Sequence, residues 1–503
     1  MPITRRQFLK SAGAGATLAA LSPHFRMLPG TNVAYAAGPS DAIVVIVQLY
    51  GGNDGLNTCY PLTGSQRTEY ENLRPSLSLP DTVGGLTPWI DSPFFDVSSV
   101  LSIGTNSNGT EYALHPAMTS LHSLYGQGKV AVVPGVHYPH PNHSHFRSEE
   151  IWYTADPLAP GGPGWLGSYL TLAGFGSTDV PGVVIGNELN ALFTPSTASI
   201  FSFRNLSALS FPAIGDTEDM QARALALFSE SAGVDPVLYP ELSKLGETAT
   251  ATLQKIDEYY QPGNGLGDAG KVEALMLDEE GRYRSSNYLA YDSPLNFDGI
   301  GGRNDRLMRD MRHVAATIRA DVGARFFHVG IGGFDTHSSQ EKDFYHSFLL
   351  QAVSDTITAL YNEMSQEVTL PMGYTGYRTE NLASKLVIVT LSEFGRTRHQ
   401  NSENPQNAGT DHAASSVHFA IGDPVTGGQY GDYPLVDDYR PSDEGDLHMV
   451  WDFRDFYGTI LNSWLNVSLL DLGPGDGKLL PETPVPDEDG KSYMSFTNIG
   501  FIS

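Results

Sequence analysis

Acidic residues and histidines recur in loops beside apolar stretches of this 503-residue chain. Three such loops follow an apolar stretch and a fourth precedes one. The residues concerned are Asp54, Asp335, His337, Glu393, Asp411 and His412. Carboxylate oxygens and imidazole nitrogens delivered by separate strand ends are the ligands from which proteins build hydrolytic metal sites. The pattern therefore predicts that these residues bind a divalent metal.

Other roles are open for two of these acids. Asp54 lies between glycines, where an aspartate can also cap a helix or close an Asx-turn. Glu393 could form a salt bridge with Arg396, three residues later, instead of binding an ion. Asp335 and His337 are two residues apart, which is close enough for a carboxylate and an imidazole to chelate one ion.

The segment 139–148 combines three histidines, two serines and an arginine directly before a predicted helix. A helix N-terminus offers free amides to an anion, so Ser144 is a candidate nucleophile. Arg147 or Arg396 would neutralise negative charge that develops on a substrate oxygen. The alternative is that Ser144 only caps the helix while Arg147 solvates its first turn.

Apolar stretches alternate with helical periodicity along the chain, which predicts an α/β fold with a mostly parallel sheet flanked by helices. Strands are predicted at 42–49, 130–133, 180–185, 326–331, 386–391 and 417–421. Helices are predicted at 116–125, 146–153, 304–322, 343–364 and 452–464. Ligands bind at the carboxyl ends of the strands in such sheets, which is where the acids and histidines lie.

Residues 190–303 differ in composition and are dominated by Ser, Ala, Gly and charged residues. We interpret this segment as a largely helical insertion or cap, with helices at 217–231 and 241–260. It interrupts a main domain that we assign to residues 37–475. The remaining residues, 476–503, are predicted to form a tail on the surface.

The N-terminus carries an export signal. Arg5 and Arg6 precede a short, mildly apolar segment, and the small-x-small pattern Ala34 to Ala36 fits a cleavage site. We therefore assign residues 1–36 as a twin-arginine signal peptide and predict a periplasmic or secreted protein. No later stretch approaches the ~20 apolar residues that a membrane span requires, which predicts no stable membrane anchor.

The formal net charge of −27 at pH 7 disfavours nucleic acid and anionic membrane surfaces as partners. A small anionic substrate would have to be attracted by a local cation, such as a metal or an arginine. Cys59 is the only cysteine, which excludes intrachain disulfides and indicates a buried packing residue.

The motifs together resemble a bacterial exported family, domain of unknown function 1501. They are 49–57, 142–146, 333–337, 392–397 and 409–412, and they occur in the family's order along with the twin arginines. That family is itself similar to the alkaline phosphatase and sulfatase superfamily. The resemblance implies an alkaline phosphatase-like fold and covers essentially the whole chain after the signal.

The resemblance also implies roles for individual residues. Asp54 takes the place of a metal-binding aspartate after the first strand, and Ser144 the place of the nucleophile. Asp335 and His337 take the place of an aspartate–histidine pair, and His412 that of a late histidine.

Two departures stand out. Glu393 and Phe394 occupy a strand end where phosphatases have Asp-His, and the spacing from Asp335 to His337 is tighter than theirs. The site would then hold one metal ion rather than two, or be rich in carboxylates. The expected metal is a divalent ion, one of Zn, Mn, Mg or Ca.

These features predict an exported, metal-dependent hydrolase of a small phosphate or sulfate ester. The main alternative is a non-catalytic binding or assembly protein on a degenerate phosphatase-like fold, which the missing strand-end histidine favours. A third hypothesis is group transfer, in which an intermediate on Ser144 passes to an acceptor other than water.

Overall fold

The computed structural model places a mixed sheet at the centre of the protein, with helices against it. The described residues are 41–92, 95–158, 161–176, 179–186, 190–203, 255–256, 301–367, 376–436, 445–472, 479–481, 493 and 495–502.

Fourteen strands occur in the described part of the chain. They are β1 (Ile43–Tyr50), β2 (Cys59–Pro61), β3 (Leu101–Thr105), β4 (Glu111–Leu114), β5 (Val130–His137), β6 (Gly182–Ile185), β7 (Ile200–Phe203), β8 (Phe326–Gly332), β9 (Leu386–Leu391), β10 (Gly395–Arg396), β11 (His412–Ala413), β12 (Ser416–Ile421), β13 (Gly428–Gln429) and β14 (Trp451–Asp452).

Nine of these strands form the central sheet, in the order β13-β5-β12-β9-β1-β8-β6-β7, with β14 also paired to β5. All neighbours are parallel except β12, which runs antiparallel to both β5 and β9. Because β12 is reversed, its first residue lies at the edge where the parallel strands end. The remaining strands form two small sheets, β2-β4-β3 and β10-β11.

Ten α-helices accompany the strands among the described residues. They are α1 (Gly55–Thr58), α2 (Gly64–Leu73), α3 (Thr87–Ile90), α4 (Thr119–Gly126), α5 (His145–Thr154), α6 (Trp165–Leu172), α7 (Gly301–Arg319), α8 (Tyr345–Met364), α9 (Phe453–Thr459) and α10 (Leu469–Leu472). A π-helical turn, Ile460–Trp464, follows α9 directly.

Strand β1 is buried on both faces, as its continuous apolar sequence predicts. Val45 and Val47 belong to an apolar cluster with residues of α4, α7 and α8. Val44 and Ile46 belong to a second cluster with residues of α5, α6 and α9. Alternate residues of one strand therefore serve two cores, and the sheet is enclosed between helical layers.

The structure confirms the predicted α/β class and a mostly parallel sheet. Strand β9 has the predicted bounds, and the other strands and helices predicted outside residues 190–303 are present with shifted ends. The largest shift is in β5, which continues to His137 rather than stopping at residue 133. Pro134 and Gly135 obscured this continuation because both residues are poor strand formers.

Most of the predicted insertion lies outside the described residues, including nearly all of its two predicted helices. The predicted tail, 476–503, contains Phe501 and Ile502, whose side chains are buried in the apolar cluster around α9. Among the described residues, no helix is both long enough and apolar enough to cross a membrane.

Candidate metal centre

Four side chains from three segments meet at the carboxyl edge of the central sheet. Asp335 and His337 follow β8, His412 lies in β11 just before β12, and His145 begins α5 after β5. Tyr50 pairs with Gly332, so β1 and β8 end side by side. The reversed direction of β12 brings His412 to the same edge.

Three ligand atoms form a tight triangle. The Nε2 atoms of His337 and His412 are 2.9 Å apart, and they lie 3.0 and 3.1 Å from Oδ1 of Asp335. Nε2 of His145 lies 3.6 Å from the other carboxylate oxygen, Oδ2 of Asp335. His145, Asp335 and His412 thus form a group whose geometry suits a metal ion.

The far nitrogen of each imidazole has a hydrogen-bond acceptor as its partner. Nδ1 of His337 lies 2.7 Å from Oδ1 of Asp411, and Nδ1 of His412 lies 2.8 Å from the carbonyl oxygen of His143. Nδ1 of His145 lies 2.9 Å from Oε1 of Glu393. Because a carboxylate or carbonyl oxygen can only accept, each Nδ1 donates its proton.

Neutral imidazoles with a proton on Nδ1 present a lone pair at Nε2. When all three rings are in this form, their Nε2 lone pairs converge on the carboxylate of Asp335, and a shared proton or a bound cation is needed to relieve the repulsion between these acceptors. Histidine ligands of metal ions are usually held in this way, by an acceptor behind the ring. The residues thus fit a divalent metal through the chemistry of their donor atoms.

The charge of Asp335 is maintained by its neighbours. Burial raises the pKa of this carboxyl, but the hydrogen bond and the positive charge of Arg396 outweigh burial, and the pKa is lowered to about 2. Burial is also the main reason why the pKa of His412 is lowered. The carboxylate is therefore ionised and His412 neutral at pH 7, which are the forms that bind a metal.

Arg396 is buried and bridges the loops around the centre. Its Nη2 donates to Oδ1 of Asp335 at 2.6 Å and also contacts the carbonyl oxygens of Gly51 and Phe334. Its Nε and Nη1 donate to the carbonyl oxygens of Gly52 and Thr410. Arg396 thus orients a candidate ligand, whereas the sequence predicted that it would face a substrate oxygen.

Asp54 is buried and lies behind the centre. Arg74 donates to both of its carboxylate oxygens, at 2.7 and 3.0 Å. Gln340 donates to Oδ2, and Oδ1 accepts from the Asn57 amide as the cap of α1. The predicted ligand Asp54 is therefore not part of the His145, Asp335 and His412 group, and its oxygens contact protein donors.

Asp411 and Glu393 also lie behind histidines rather than inside the triangle. Asp411 supports His337 and accepts a second hydrogen bond from Asn401 at 3.1 Å. Glu393 is buried and accepts both from His145 and, at 2.7 Å, from the Gly51 amide. Both predicted ligands have the geometry of residues that orient an imidazole.

Ser144 and Arg147 belong to the start of α5. Ser144 is the residue before the helix, is exposed and makes no side-chain capping bond. It directly precedes His145, so it lies at the edge of the centre. Arg147 turns away, donating to Glu150 at 2.8 Å and to the carbonyl oxygen of Pro157 at 3.0 Å.

A second group, His115, Glu341 and His346, has the spacing of a metal site but the wrong tautomer. Nδ1 of His115 accepts a hydrogen bond from the Ala117 amide at 3.1 Å. The proton of a neutral His115 is therefore on Nε2, the atom that faces Glu341. A protonated nitrogen cannot bind a metal, so this group is a buried hydrogen-bond cluster.

Two residues of the centre were missed from the sequence. His145 lies in the histidine-rich segment 139–148, for which the sequence pattern predicted only Ser144 and Arg147 as site residues. Gln340 lies in the loop after β8, where no motif marks it, and it contacts Asp54 and two threonines beside the candidate ligands.

Two family models match parts of the chain. Residues 302–465 match the family model described as Protein of unknown function (DUF1501). This segment contains Asp335, His337, Glu393 and His412. Residues 2–22 match the signal sequence of the twin-arginine translocation pathway, so the protein is exported. A comparison with curated proteins found no match.

Proposed function

We propose that this protein is an exported, metal-dependent hydrolase of phosphate or sulfate esters. One observation carries the proposal: the Nε2 atoms of three imidazoles face an ionised carboxylate, and the far nitrogen of each ring has an oxygen acceptor as its partner. The export signal shows that the protein leaves the cytoplasm, which is compatible with hydrolysis of esters outside it.

Asp335, His337 and His412 would hold the metal, because their ligand atoms lie within 3.1 Å of one another, whereas Nε2 of His145 lies 3.6 Å from Asp335. When bound, a divalent ion at such a site polarises an ester oxygen and lowers the pKa of a bound water. Two imidazoles and one carboxylate suit Zn or Mn better than Mg or Ca, which prefer oxygen ligands alone. Of the four metals expected from the sequence, the donor atoms therefore favour Zn and Mn.

His145 would move the proton during hydrolysis. Its Nε2 lone pair faces the centre, and the pKa of His145 is raised by the hydrogen bond to Glu393. Glu393 is buried and holds the ring while stabilising its protonated form. His145 can thus accept a proton from the nucleophile, Ser144 or a water, and return it to the leaving group.

The centre is open to solvent. The side chains of Asp335 and His337 are 47% and 44% exposed. A small ester can therefore reach the triangle without an opening of the main domain. Phe394 is buried and packs against the rings of His145 and His412, which restricts the orientation of both imidazoles.

The proposal is tested by measuring metal content and ester turnover on the same preparations. We expect wild-type protein purified from the exported fraction to contain about one equivalent of a divalent metal. His337→Ala and His412→Ala should lose it, whereas His122→Ala, outside the centre, should retain it. Full metal occupancy in the first two variants would contradict the site.

Turnover is then measured with nitrophenyl phosphate, its diester and nitrophenyl sulfate. Hydrolysis that requires the metal supports the proposal. A protein that binds metal but hydrolyses none of these esters would instead support the binding or assembly alternative. Faster product release with added alcohols would indicate transfer.

A further inference from the structure

We propose that Gln340 is the positioning residue of the metal centre, and that Asp54 and Arg74 fix its orientation. This inference rests on the proposed centre and adds a role that touches neither metal nor substrate. Gln340 is fully buried in the loop between β8 and α8.

The carboxamide of Gln340 joins two loops that carry candidate ligands. Its Oε1 accepts from Oγ1 of Thr336 at 3.0 Å and from Oγ1 of Thr410 at 2.8 Å. Thr336 lies between Asp335 and His337, and Thr410 lies two residues before His412. One oxygen atom therefore sets the distance between the two loops.

The orientation of this carboxamide is fixed from the other side. Its Nε2 donates to Oδ2 of Asp54 at 2.5 Å, and a carboxylate accepts only, so the amide cannot flip. Arg74 binds Asp54 through two nitrogens and donates to the carbonyl oxygens of Thr397 and Arg398. These contacts extend the array to the loop after β10.

The backbone reinforces the same junction. The backbone N–H of Gln340 donates to the carbonyl oxygen of Ala408 at 2.9 Å. The backbone N–H of Thr410 donates to the carbonyl oxygen of Thr336 at 3.1 Å. Together these bonds clamp the loop after β8 to the segment before β11. Mutation of a residue that holds a metal ligand in place typically weakens metal binding by about 10- to 100-fold.

The experiment compares Gln340→Met with Gln66→Met. Both glutamines are buried. Gln66 lies in α2, and its Oε1 accepts a hydrogen bond from the backbone N–H of Val436. Metal-free protein is titrated with Co²⁺, and the affinity and visible spectrum of bound Co²⁺ are recorded beside the unfolding temperature without metal. If Gln340 only stabilised the fold, Gln340→Met would lower the unfolding temperature, as Gln66→Met would, and Co²⁺ binding would be unchanged.

We expect Gln340→Met to bind Co²⁺ about 10- to 100-fold more weakly with an altered spectrum, and Gln66→Met to match wild type. Wild-type affinity and spectrum in Gln340→Met would overturn the inference. A wild-type protein that binds no Co²⁺ would overturn the proposed centre as well, which distinguishes the two failures.

Thr410→Val keeps the test decisive if Gln340→Met does not fold. Valine has nearly the shape of threonine and removes only the hydroxyl that Oε1 of Gln340 accepts. We expect a smaller loss of Co²⁺ affinity in the same direction. Unchanged affinity in the folded Thr410→Val variant would overturn the inference.

Discussion

The chemistry of each histidine in this protein is set by the partner of its far nitrogen. His337 and His115 both lie within reach of a carboxylate and a second histidine. Asp411 accepts the Nδ1 proton of His337, whereas the Ala117 amide donates to Nδ1 of His115. Only His337 is thereby left with a lone pair at Nε2, so proximity alone does not identify a ligand.

Glu393 provides a test of the assignment of roles. Because its carboxylate contacts His145 and the Gly51 amide, we expect Glu393→Gln to retain the metal but to lose about 100-fold or more in ester hydrolysis. Metal content and turnover are measured together, with Glu111→Gln in β4 as the control. Loss of the metal would show that Glu393 is a ligand, as the sequence predicted.

The stability of the protein should depend on pH through the buried carboxyl of Asp355. Asp355 in α8 is buried, accepts a hydrogen bond from Ser120, and has its pKa raised by burial from 3.8 to about 7. Between these two pH values the folded protein holds a proton that the unfolded chain has released. The contribution of Asp355 to the free energy of unfolding therefore falls as the pH rises from about 4 to about 7.

We expect Asp355→Asn to remove this decline. Relative to wild type, the variant gains up to about 4 kcal/mol in the free energy of unfolding between pH 4 and pH 8. Urea unfolding at both pH values measures the change, and Asp91→Asn, at an exposed position, is the control. An identical pH dependence in Asp355→Asn and wild type would contradict the prediction.

At the scale of elements, the centre depends on loops that approach one another closely. A Cβ on Gly409 would lie 2.4 Å from the carbonyl carbon of His337 and from the carbonyl oxygen of Thr336. Gly51 directly follows β1 and has φ +115°. A Cβ on Gly51 would lie 2.3 Å from the backbone nitrogen of Asp335. These two glycines allow the segments beside the ligands to pack backbone to backbone.

Gly409→Ala should separate these segments. We expect it to cost about 1–3 kcal/mol in the free energy of unfolding and to weaken metal binding, because His337 must shift. Gly84→Ala is the matched control, since a Cβ there meets nothing within 4 Å. Denaturant unfolding and a metal titration of both variants measure the effect; metal affinity equal to that of wild type in Gly409→Ala would refute it.

At the scale of the whole molecule, the topology of the sheet assembles the centre. Strands β1, β8, β9 and β5 end at one edge, and β12 begins there because it is the one antiparallel strand of the described central sheet. Residues more than 260 positions apart, His145 and His412, are thereby brought to ring centroids 4.5 Å apart.

Export depends on the other end of the chain. Arg5 and Arg6 lie in the matched signal, and lysine keeps their charge but not the paired guanidinium groups. We expect replacement of both by lysine to leave unprocessed protein in the cytoplasm, as measured by fractionation and mass. Arg26→Lys, outside residues 2–22, should be exported normally, and export of the double variant would contradict the prediction.

The sequence by itself determined the fold class, the export signal and which residue types lie at the strand ends. Continuous apolar runs such as 386–391 are recognisable because a strand buried on both faces has no polar side to conceal it. The candidate ligands Asp335, His337 and His412 were identified in the same way, since each lies next to such a run.

Only the tertiary structure decided what each of these residues contacts. Asp54, Glu393 and Asp411 resemble ligands in the sequence, but each has protein donors as its partners. His145 and Gln340 gain their positions from β5 and from the loop after β8. A local pattern fixes where a side chain leaves its strand, whereas its partner depends on strand order and direction, which long-range packing sets.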